Sequence, residues 1–364
     1  MIDIVISASL TVFILANIMN LGGLLLWVER KGSAILQDRI GANRAAILGK
    51  LPINIGIINT LVADPIKLFT KEDFVPPNAD KFLHWLAPVL AMVPALISFI
   101  AIPFGDILVI GEREINLQAA NLNVGILYIL GMVSLGVYGI VLAGWASNSR
   151  WALLGGIRAS AQMISYEIAL GLALVGVIMT FGTLDLQEIA RAQGHMIGGV
   201  IPGWGIFYQP VAFFIFFAAG IAESKRVPFD LPEAEAELIS GYFTEYSGAK
   251  QATFMLVDFL ESIVVAGLVT TLFFGGWQVP FLMRDGLHLP GDIFYPLPSL
   301  LVTLVQHGAF VTKLVFFCWL QIMIRWTLPR FRYDQLMNLG WKGLLPIALA
   351  NVLITGLVIL IFQA

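Results

Sequence analysis

Charge and cysteine are both scarce in this sequence. Asp, Glu, Lys and Arg make up 12% of its 364 residues, against about 25% in soluble domains. The one cysteine, Cys318, excludes an internal disulfide and any zinc or iron–sulfur site ligated by several cysteines of this chain. The four histidines lie far apart with no i, i+4 pair, which favours isolated side chains over a metal site. The GxSxG, P-loop and HExxH motifs of common nucleophilic, phosphate-binding and metallohydrolase chemistries are also missing.

Hydrophobic residues take the place of charge, with 58% of the total and a mean hydropathy of +0.86. A helix of roughly 20 apolar residues crosses a bilayer. The sequence therefore predicts an all-α polytopic membrane protein, with a single membrane domain over residues 1–364 and eight transmembrane helices. The eight predicted spans are 4–28, 82–103, 122–145, 163–181, 206–222, 253–275, 299–324 and 343–362.

The basic residues divide unequally between alternate loops. Loops 29–81, 146–162, 223–252 and 325–342 hold 17 Lys and Arg, whereas the loops between them hold three. Cytoplasmic loops are enriched in Lys and Arg. The split therefore predicts that both termini lie on the outer side and that the acidic loop 223–252 is cytoplasmic.

Residues 53–69 are not counted as a span, although many of them are apolar. Their apolar side chains recur at helical spacing on one face, and Thr60, Asp64 and Lys67 share the other face. Counting them as a span would also invert every later loop. We expect an amphipathic helix at the inner membrane interface, kinked at Pro65. A helix packed beneath a cytoplasmic cap is the alternative.

Carboxylates are unusually dense in the cytoplasmic loop that follows the fifth predicted span. Prolines and aromatic residues are interleaved with them, and a disordered acidic spacer would not need those residues. We therefore expect the stretch Glu223–Gly248 of this loop to be ordered, with two bases, Lys225 and Arg226, beside six acids. The acids are Glu223, Asp230, Glu233, Glu235, Glu237 and Glu245.

Four residues of the Asp, Glu, Lys and Arg types lie inside predicted spans: Glu167, Asp258, Glu261 and Lys313. Each costs about 2.5–3.5 kcal/mol to insert, so a function is expected. Asp258 and Glu261 share a helix face. With Glu167, and with Glu223 at the end of the fifth span, they are expected to form a ladder of acids. Buried, closely spaced carboxyl groups suit a proton relay near neutral pH. The alternative is a structural role in which the acids pair with Lys313 or with backbone groups.

Four motifs, in order along the chain, resemble those of the quinone-site membrane heel subunit, the H-type subunit, of proton-pumping NADH:quinone oxidoreductase (respiratory complex I). They are WVERKGSAILQDRIGANR (27–44), RASAQMISYEIALGL (158–172), AESKRVPFDLPEAEAELISGYFTEYSG (222–248) and RWTLPRFRYDQLMNLGWKGLLP (325–346). Together they extend over nearly the whole chain. The resemblance implies an eight-helix subunit that forms much of the quinone chamber and links quinone reduction to proton translocation.

The resemblance and the positions of the intramembrane acids together predict two groups of site residues. The proton-relay group is Glu167, Glu223, Glu233, Glu235, Glu237, Asp258 and Glu261. The quinone-chamber group is Glu29, Arg30, Arg39, Arg44, Asp64, Lys67, Phe229 and Asp230. The resemblance implies that this chain binds no cofactor and no metal. Quinone is then the substrate, and NADH, FMN and the iron–sulfur clusters belong to partner subunits.

The resemblance also implies partners and a location. The expected partners are the hydrophilic quinone-module subunits, small membrane subunits and antiporter-like subunits of the complex, and the lipid bilayer. Nucleic acid is not expected as a partner. The strong charge bias favours a bacterial inner (plasma) membrane, and an organellar inner membrane is the alternative.

Some positions depart from the family pattern. Asp258 stands where Glu is common, and Glu261 stands where Asn is frequent.

Two alternative functions are compatible with the sequence. The first is that of the related subunit of a membrane-bound hydrogenase or of a ferredoxin- or F420-dependent complex. A stand-alone ion transporter would also explain buried charges, but the sequence lacks an inverted repeat with paired broken helices.

Overall fold

Long helices make up most of the computed structural model, which describes residues 2–41, 59–110, 113–197, 201–233, 235–289 and 293–363. Seven helices in these ranges are long and apolar enough to cross a membrane. The helices are α1 (Ile2–Leu36), α2 (Asp64–Thr70), α3 (Lys81–Ser98), α4 (Gly125–Ala146), α5 (Arg150–Phe181), α6 (Leu186–Ala192), α7 (Gly205–Tyr208), α8 (Pro210–Glu223), α9 (Glu235–Leu238), α10 (Gly248–Phe273), α11 (Ser299–Thr327), α12 (Tyr333–Asn338) and α13 (Leu345–Gln363).

Helix α10 lies at the centre of the bundle. It contacts α1, α3, α8 and α11, so its C-terminal half, from Phe259 to Phe273, is buried on all sides. A helix that is apolar all round needs such an environment. The two acids of α10, Asp258 and Glu261, therefore lie where several helices converge.

Predicted spans and observed helices differ most at the fifth segment, 206–222. Gln209 interrupts the helix with φ −133° and ψ 57°, and Pro210, which cannot donate a backbone hydrogen bond, begins α8. Helix α8 has only 14 residues, or about 21 Å, so it is too short to count among the seven. The shortness also places its C-terminal residue, Glu223, inside the bundle.

The amphipathic prediction for residues 53–69 is only partly open to inspection, since 53–58 lie outside the described residues. The described part is a π-helical turn, Asn59–Ala63, followed by α2. Ile66 and Phe69 are exposed, at 58% and 77%. Pro65 stands in the first turn of α2, directly after the π-helical turn, and Ala63 before it already has helical φ and ψ of −70° and −40°. The helical backbone therefore continues through the proline, and the kink stays a prediction.

Small residues allow the helices to approach closely. A Cβ atom added to Gly139 of α4 would lie 2.6 Å from the backbone nitrogen of Ala91 in α3. At Gly155 of α5, an added Cβ would lie 2.6 Å from the backbone nitrogen of Tyr242 in the acidic loop. Neither backbone can move aside as a flexible side chain could, so glycine is required at both positions.

Short antiparallel hairpins cover the end of the bundle opposite the acidic loop. The strands are β1 (Ile107–Ile110) with β2 (Arg113–Asn116), β3 (Met196–Ile197) with β4 (Ile201–Pro202), and β5 (Leu282–Met283), β6 (Gly286–Leu289) and β7 (Ile293–Pro296) in one sheet. The registers pair Leu108 with Ile115, Ile197 with Ile201, and Leu287 with both Leu282 and Tyr295.

Asp106 joins the three connections that carry these hairpins. Its buried carboxylate accepts hydrogen bonds from Arg284 Nε at 2.6 Å and Arg191 Nη2 at 3.0 Å. Burial raises the pKa of Asp106, but the hydrogen bonds from Arg284 and Arg191 outweigh burial and bring the pKa below its usual value. Three loops that the charge pattern assigns to one side thus meet at one end of the molecule.

We expect Asp106→Asn to lower the free energy of unfolding by about 1–3 kcal/mol, because it weakens charged hydrogen bonds in a buried site. The folded-state pKa is depressed, so the carboxylate's contribution is complete above the unfolded pKa of about 4 and is lost only as the pH falls further. Thermal unfolding in detergent should therefore show the same difference at about pH 6 and about pH 8. The exposed neighbour Asp285→Asn is the control. A deficit that disappears at pH 6 would contradict this account.

Gly155→Ala should detach the acidic loop from α5, because the new methyl group meets backbone rather than a movable side chain. We expect faster proteolysis of the loop in membranes and a lower thermal midpoint. Gly171→Ala is the matched control on the same helix, where an added Cβ has nothing within 4 Å. Equal protease resistance of the two variants would show that the contact is unimportant.

Candidate functional site

The acidic loop enters the bundle instead of covering it. Almost every residue from Glu223 to Pro232 is buried. The end of the bundle that receives the loop is here called the inner end, because the charge pattern predicts it to be cytoplasmic. The buried and partly buried charges there form one group, the inner cluster: Glu29, Glu223, Lys225, Arg226, Asp230, Glu233, Asp258, Glu261, Arg325 and Arg330.

Glu29 of α1 holds two arginines from other elements. Its Oε2 accepts a hydrogen bond from Arg226 Nη1 at 2.8 Å, and its Oε1 lies 2.9 Å from Arg325 Nη1 at the end of α11. The guanidinium carbon of Arg226 also lies 3.8 Å from the ring centroid of Phe259 in α10. Glu29 thus ties the acidic loop to three helices.

The turn at Phe229 and Asp230 is fixed by contacts on both sides. Asp230 Oδ2 accepts a hydrogen bond from Arg330 Nη2 at 3.0 Å. The ring of Phe229 stacks on Phe331, with centroids 5.4 Å apart. Gln162 of α5 donates its side-chain N–H to the backbone oxygen of Phe229 at 2.8 Å. The turn is therefore held rigidly beside the cluster.

Lys225 reaches the two acids of the central helix. Its ammonium nitrogen lies 3.1 Å from Asp258 Oδ1 and 3.0 Å from Glu261 Oε2, and its side chain is 0% exposed. Burial lowers the pKa of Lys225, but the carboxylates of Glu261 and Asp258 outweigh burial and raise it. The lysine therefore stays charged.

Two cavities adjoin this ion pair. The larger, about 90 Å³, is lined by apolar side chains and by seven ionisable residues: Glu29, Lys225, Arg226, Asp230, Glu233, Asp258 and Arg325. The smaller, about 20 Å³, is apolar except where Glu223, Ser224 and Glu261 reach it. A cavity of this size has room for about one water molecule.

Two of the predicted relay acids, Glu223 and Glu167, are not part of the Lys225 ion pair. Glu223, which lines the small cavity, makes no ion pair with any described residue. Glu167 of α5 is half-buried and accepts a short hydrogen bond from Ser134 in α4. Glu167 and Glu261 both lie close enough to Glu223 to interact with it electrostatically.

The loop acids separate into buried and exposed groups. Burial, followed by the nearby Asp258 and Asp230 carboxylates, raises the pKa of Glu233 well above its ordinary value. Burial also raises the pKa of Asp230 to about 6, although Arg330 opposes this rise. Glu237 is exposed and pairs with Arg158 at 2.6 Å, so it lies outside the cluster. The side chain of Glu235 lies outside the described part of the chain.

The predicted quinone-chamber residues of the first loop are only partly brought together. Arg30 pairs with Asp64 of α2, whereas Arg39 contacts Gln37 on the surface. Among the described residues Lys67 makes no ion pair, and it is exposed. Arg44 lies outside the described residues.

Lys313 does not pair with the buried acids. Its ammonium donates to three backbone oxygens at the end of α10: those of Phe274 at 2.8 Å, Gly276 at 3.0 Å and Gln278 at 2.7 Å. The alternative in which Lys313 neutralises the relay acids is therefore wrong for the described contacts. Lys225 takes that part instead.

The site prediction omitted residues that the structure places in the cluster. Lys225 and Arg226 were visible as bases within an acidic run, which is a usable signal for buried pairing. Arg325 and Arg330 follow the seventh predicted span, so they were counted only for orientation. Gln162 and Ser134 gave no signal, because a neutral polar residue in a helix has no distinctive pattern.

Comparison with known proteins agrees with the motifs. A family model described as NADH dehydrogenase matches residues 8–356. The chain is 46% identical over 359 residues to an H-type NADH-quinone oxidoreductase subunit of Geobacter sulfurreducens, covering 99% of this chain and 98% of the relative. It is 45% identical over 336 residues to an H-type subunit of Cytophaga hutchinsonii, covering 92% and 91%.

The H-type subunit of Bdellovibrio bacteriovorus is 43% identical over 366 residues, covering 93% of this chain and 92% of the relative. The family match over residues 8–356 includes all four motifs. The chain therefore belongs to the family of H-type subunits of NADH-quinone oxidoreductase, which are membrane subunits of complex I.

Proposed function

We propose that this subunit forms one wall of the quinone chamber and couples quinone reduction to proton translocation through the inner cluster. The observation that carries the proposal is the series of buried and partly buried groups from the cavity of about 90 Å³ through Lys225, Asp258 and Glu261 to the small cavity that Glu261 shares with Glu223. Intramembrane charges are expensive, and they mark ion or substrate pathways.

The chemistry of the larger cavity suits proton supply to a reduced quinone. Glu233 and Asp230 both line it and both have raised pKa values, so each binds a proton at a pH closer to neutral than an exposed carboxyl group does. Arg226 and Arg325 are held in the same cavity by Glu29 and supply positive charge. A reduction that creates negative charge on quinone would be stabilised by these arginines.

A quinone headgroup needs more space than the cavity of about 90 Å³ that the described residues of the inner cluster line. We infer that the hydrophilic subunits complete the chamber and deliver electrons from an iron–sulfur cluster, with NADH and FMN held further away in the same partners. Arg30, Asp64 and the exposed Phe69 of α2 form the side from which quinone would enter from the bilayer.

The arrangement in the membrane follows from the same proposal. The divided segment α7–α8 is the eighth span, a broken helix whose irregular backbone is shielded by protein. Gln209 at the break donates to Thr355 Oγ1 at 2.9 Å and accepts from Asn351 at 3.0 Å. With eight spans both termini face outward. The bacterial relatives support a bacterial inner membrane.

Native purification tests the assignment to the complex. We expect the chain to travel with iron–sulfur subunits and small and antiporter-like membrane subunits, in an assembly that reduces quinone with NADH. Electron paramagnetic resonance and subunit analysis of the same fraction would establish both points. Migration as an isolated homo-oligomer without iron–sulfur signals would refute the proposal.

Glu223→Gln tests the relay in that assembly. We expect the rate of proton translocation in vesicles to fall roughly tenfold or more, because the amide cannot carry the proton. Exposed Glu72 of the same predicted side is the matched control, and Glu72→Gln should translocate protons normally. A fully assembled Glu223→Gln complex with unchanged pumping would exclude this residue from the path.

A further inference from the structure

Lys225 differs from every other base of the inner cluster in its choice of partners. Arg226 and Arg325 contact Glu29 of α1, and Arg330 contacts Asp230 of the loop. Among the described residues Lys225 is the base that pairs with the acids of α10. A single positive charge therefore serves two carboxylates, at nearly equal distances.

The backbone of Lys225 is held in an uncommon conformation. Its φ is +54°, in the left-handed region that residues with a side chain seldom occupy. Such strain is kept only where the surroundings impose it, and it clusters at functional and switching sites. Here it directs the side chain into the bundle, where it is wholly buried.

The position of the ammonium divides the two cavities. Lys225 and Asp258 line the larger cavity, whereas Glu261 and Glu223 line the smaller. The larger cavity also contains Glu233, which has no basic partner within ion-pair distance in the described chain. Each cavity thus has one acid that the ammonium contacts, Asp258 or Glu261, and at least one that it does not, such as Glu233 or Glu223.

The carboxyl groups of the inner cluster outnumber its bases, so only four of them can be ionised without leaving uncompensated negative charge. Six carboxyl groups, those of Glu29, Glu223, Asp230, Glu233, Asp258 and Glu261, accompany four bases. Uncompensated charge is costly in a buried site. The cluster is therefore sensitive to any new negative charge, and a flexible lysine side chain is its most mobile positive group.

We propose that Lys225 is a positioning residue that gates proton passage between the two cavities by shifting its ammonium between Glu261 and Asp258. Negative charge arising in the larger cavity draws the ammonium towards Asp258 and away from Glu261. The Glu261 carboxylate then accepts a proton from the Glu223 carboxyl group through one water, leaving Glu223 as the carboxylate. Return of the ammonium to Glu261 reverses the transfer or drives the proton onward. This inference rests on the proposed function.

The test uses the whole complex in vesicles and the ratio of protons translocated to NADH oxidised. We expect Lys225→Met to lower this ratio at least about twofold. Lys225→Arg, which keeps the charge, should restore most of the ratio. Lys250→Met is the matched control, because Lys250 belongs to the same loop region but pairs with Asp73 outside the cluster. It should pump like the wild type.

A spectroscopic measurement distinguishes a gating role of Lys225 from a purely structural one. Reduction of the wild-type complex should produce an infrared difference band of a protonated carboxyl group that is absent in both Glu261→Gln and Lys225→Met. If Lys225→Met does not assemble, the charge-balanced double variant Lys225→Gln/Glu261→Gln decides by its pumping ratio, which should be reduced. A wild-type ratio in either variant, or an unchanged band in Lys225→Met, would overturn the gate. Failure of the wild-type complex to pump would overturn the proposed function itself.

Discussion

A buried ammonium shared between two carboxylates is the interaction on which the inner end of this protein depends. Separating such charges from water is costly, and the cost is offset only when the partners meet in good geometry. Lys225, Asp258 and Glu261 meet this condition at 3.0 and 3.1 Å. Their pairing draws the start of the acidic loop into the bundle and against the central helix, α10. The adjoining loop residues are then close enough to pair with α1 and α11.

The two ends of the molecule use charge differently. At the outer end, Asp106 is fully compensated by Arg191 and Arg284, and Lys313 is surrounded by backbone oxygens. Such sites have one arrangement and hold loops in place. At the inner end the carboxyl groups outnumber the bases, and the Lys225 ammonium contacts two carboxylates at almost equal distances. The charges of the outer end therefore stabilise the loops, whereas those of the inner end can rearrange when a new charge appears nearby.

The short helix α8 determines where one acid of the proposed proton relay lies. Because it ends after 14 residues, Glu223 lies on the wall of the same small cavity as Glu261. A full span of about 20 residues would be about six residues, or fewer than two turns, longer than α8. The break at Gln209 is stabilised by side chains of α5 and α13. Polar residues near the outer end thus determine where an acid lies near the inner end.

The sequence by itself determined the class of protein, the family and most of the acids of the site. Hydrophobic length and the distribution of Lys and Arg are properties of single segments, so they are readable without a structure. The acids Glu167, Asp258 and Glu261 were identifiable because charge in an apolar run is conspicuous. Tertiary structure alone decided the pairing: Lys225 rather than Lys313 neutralises the acids of α10, and Glu237 faces solvent while Glu233 does not. Ion pairing depends on which helices converge and on where α8 ends, and neither is encoded in the pattern of any one segment.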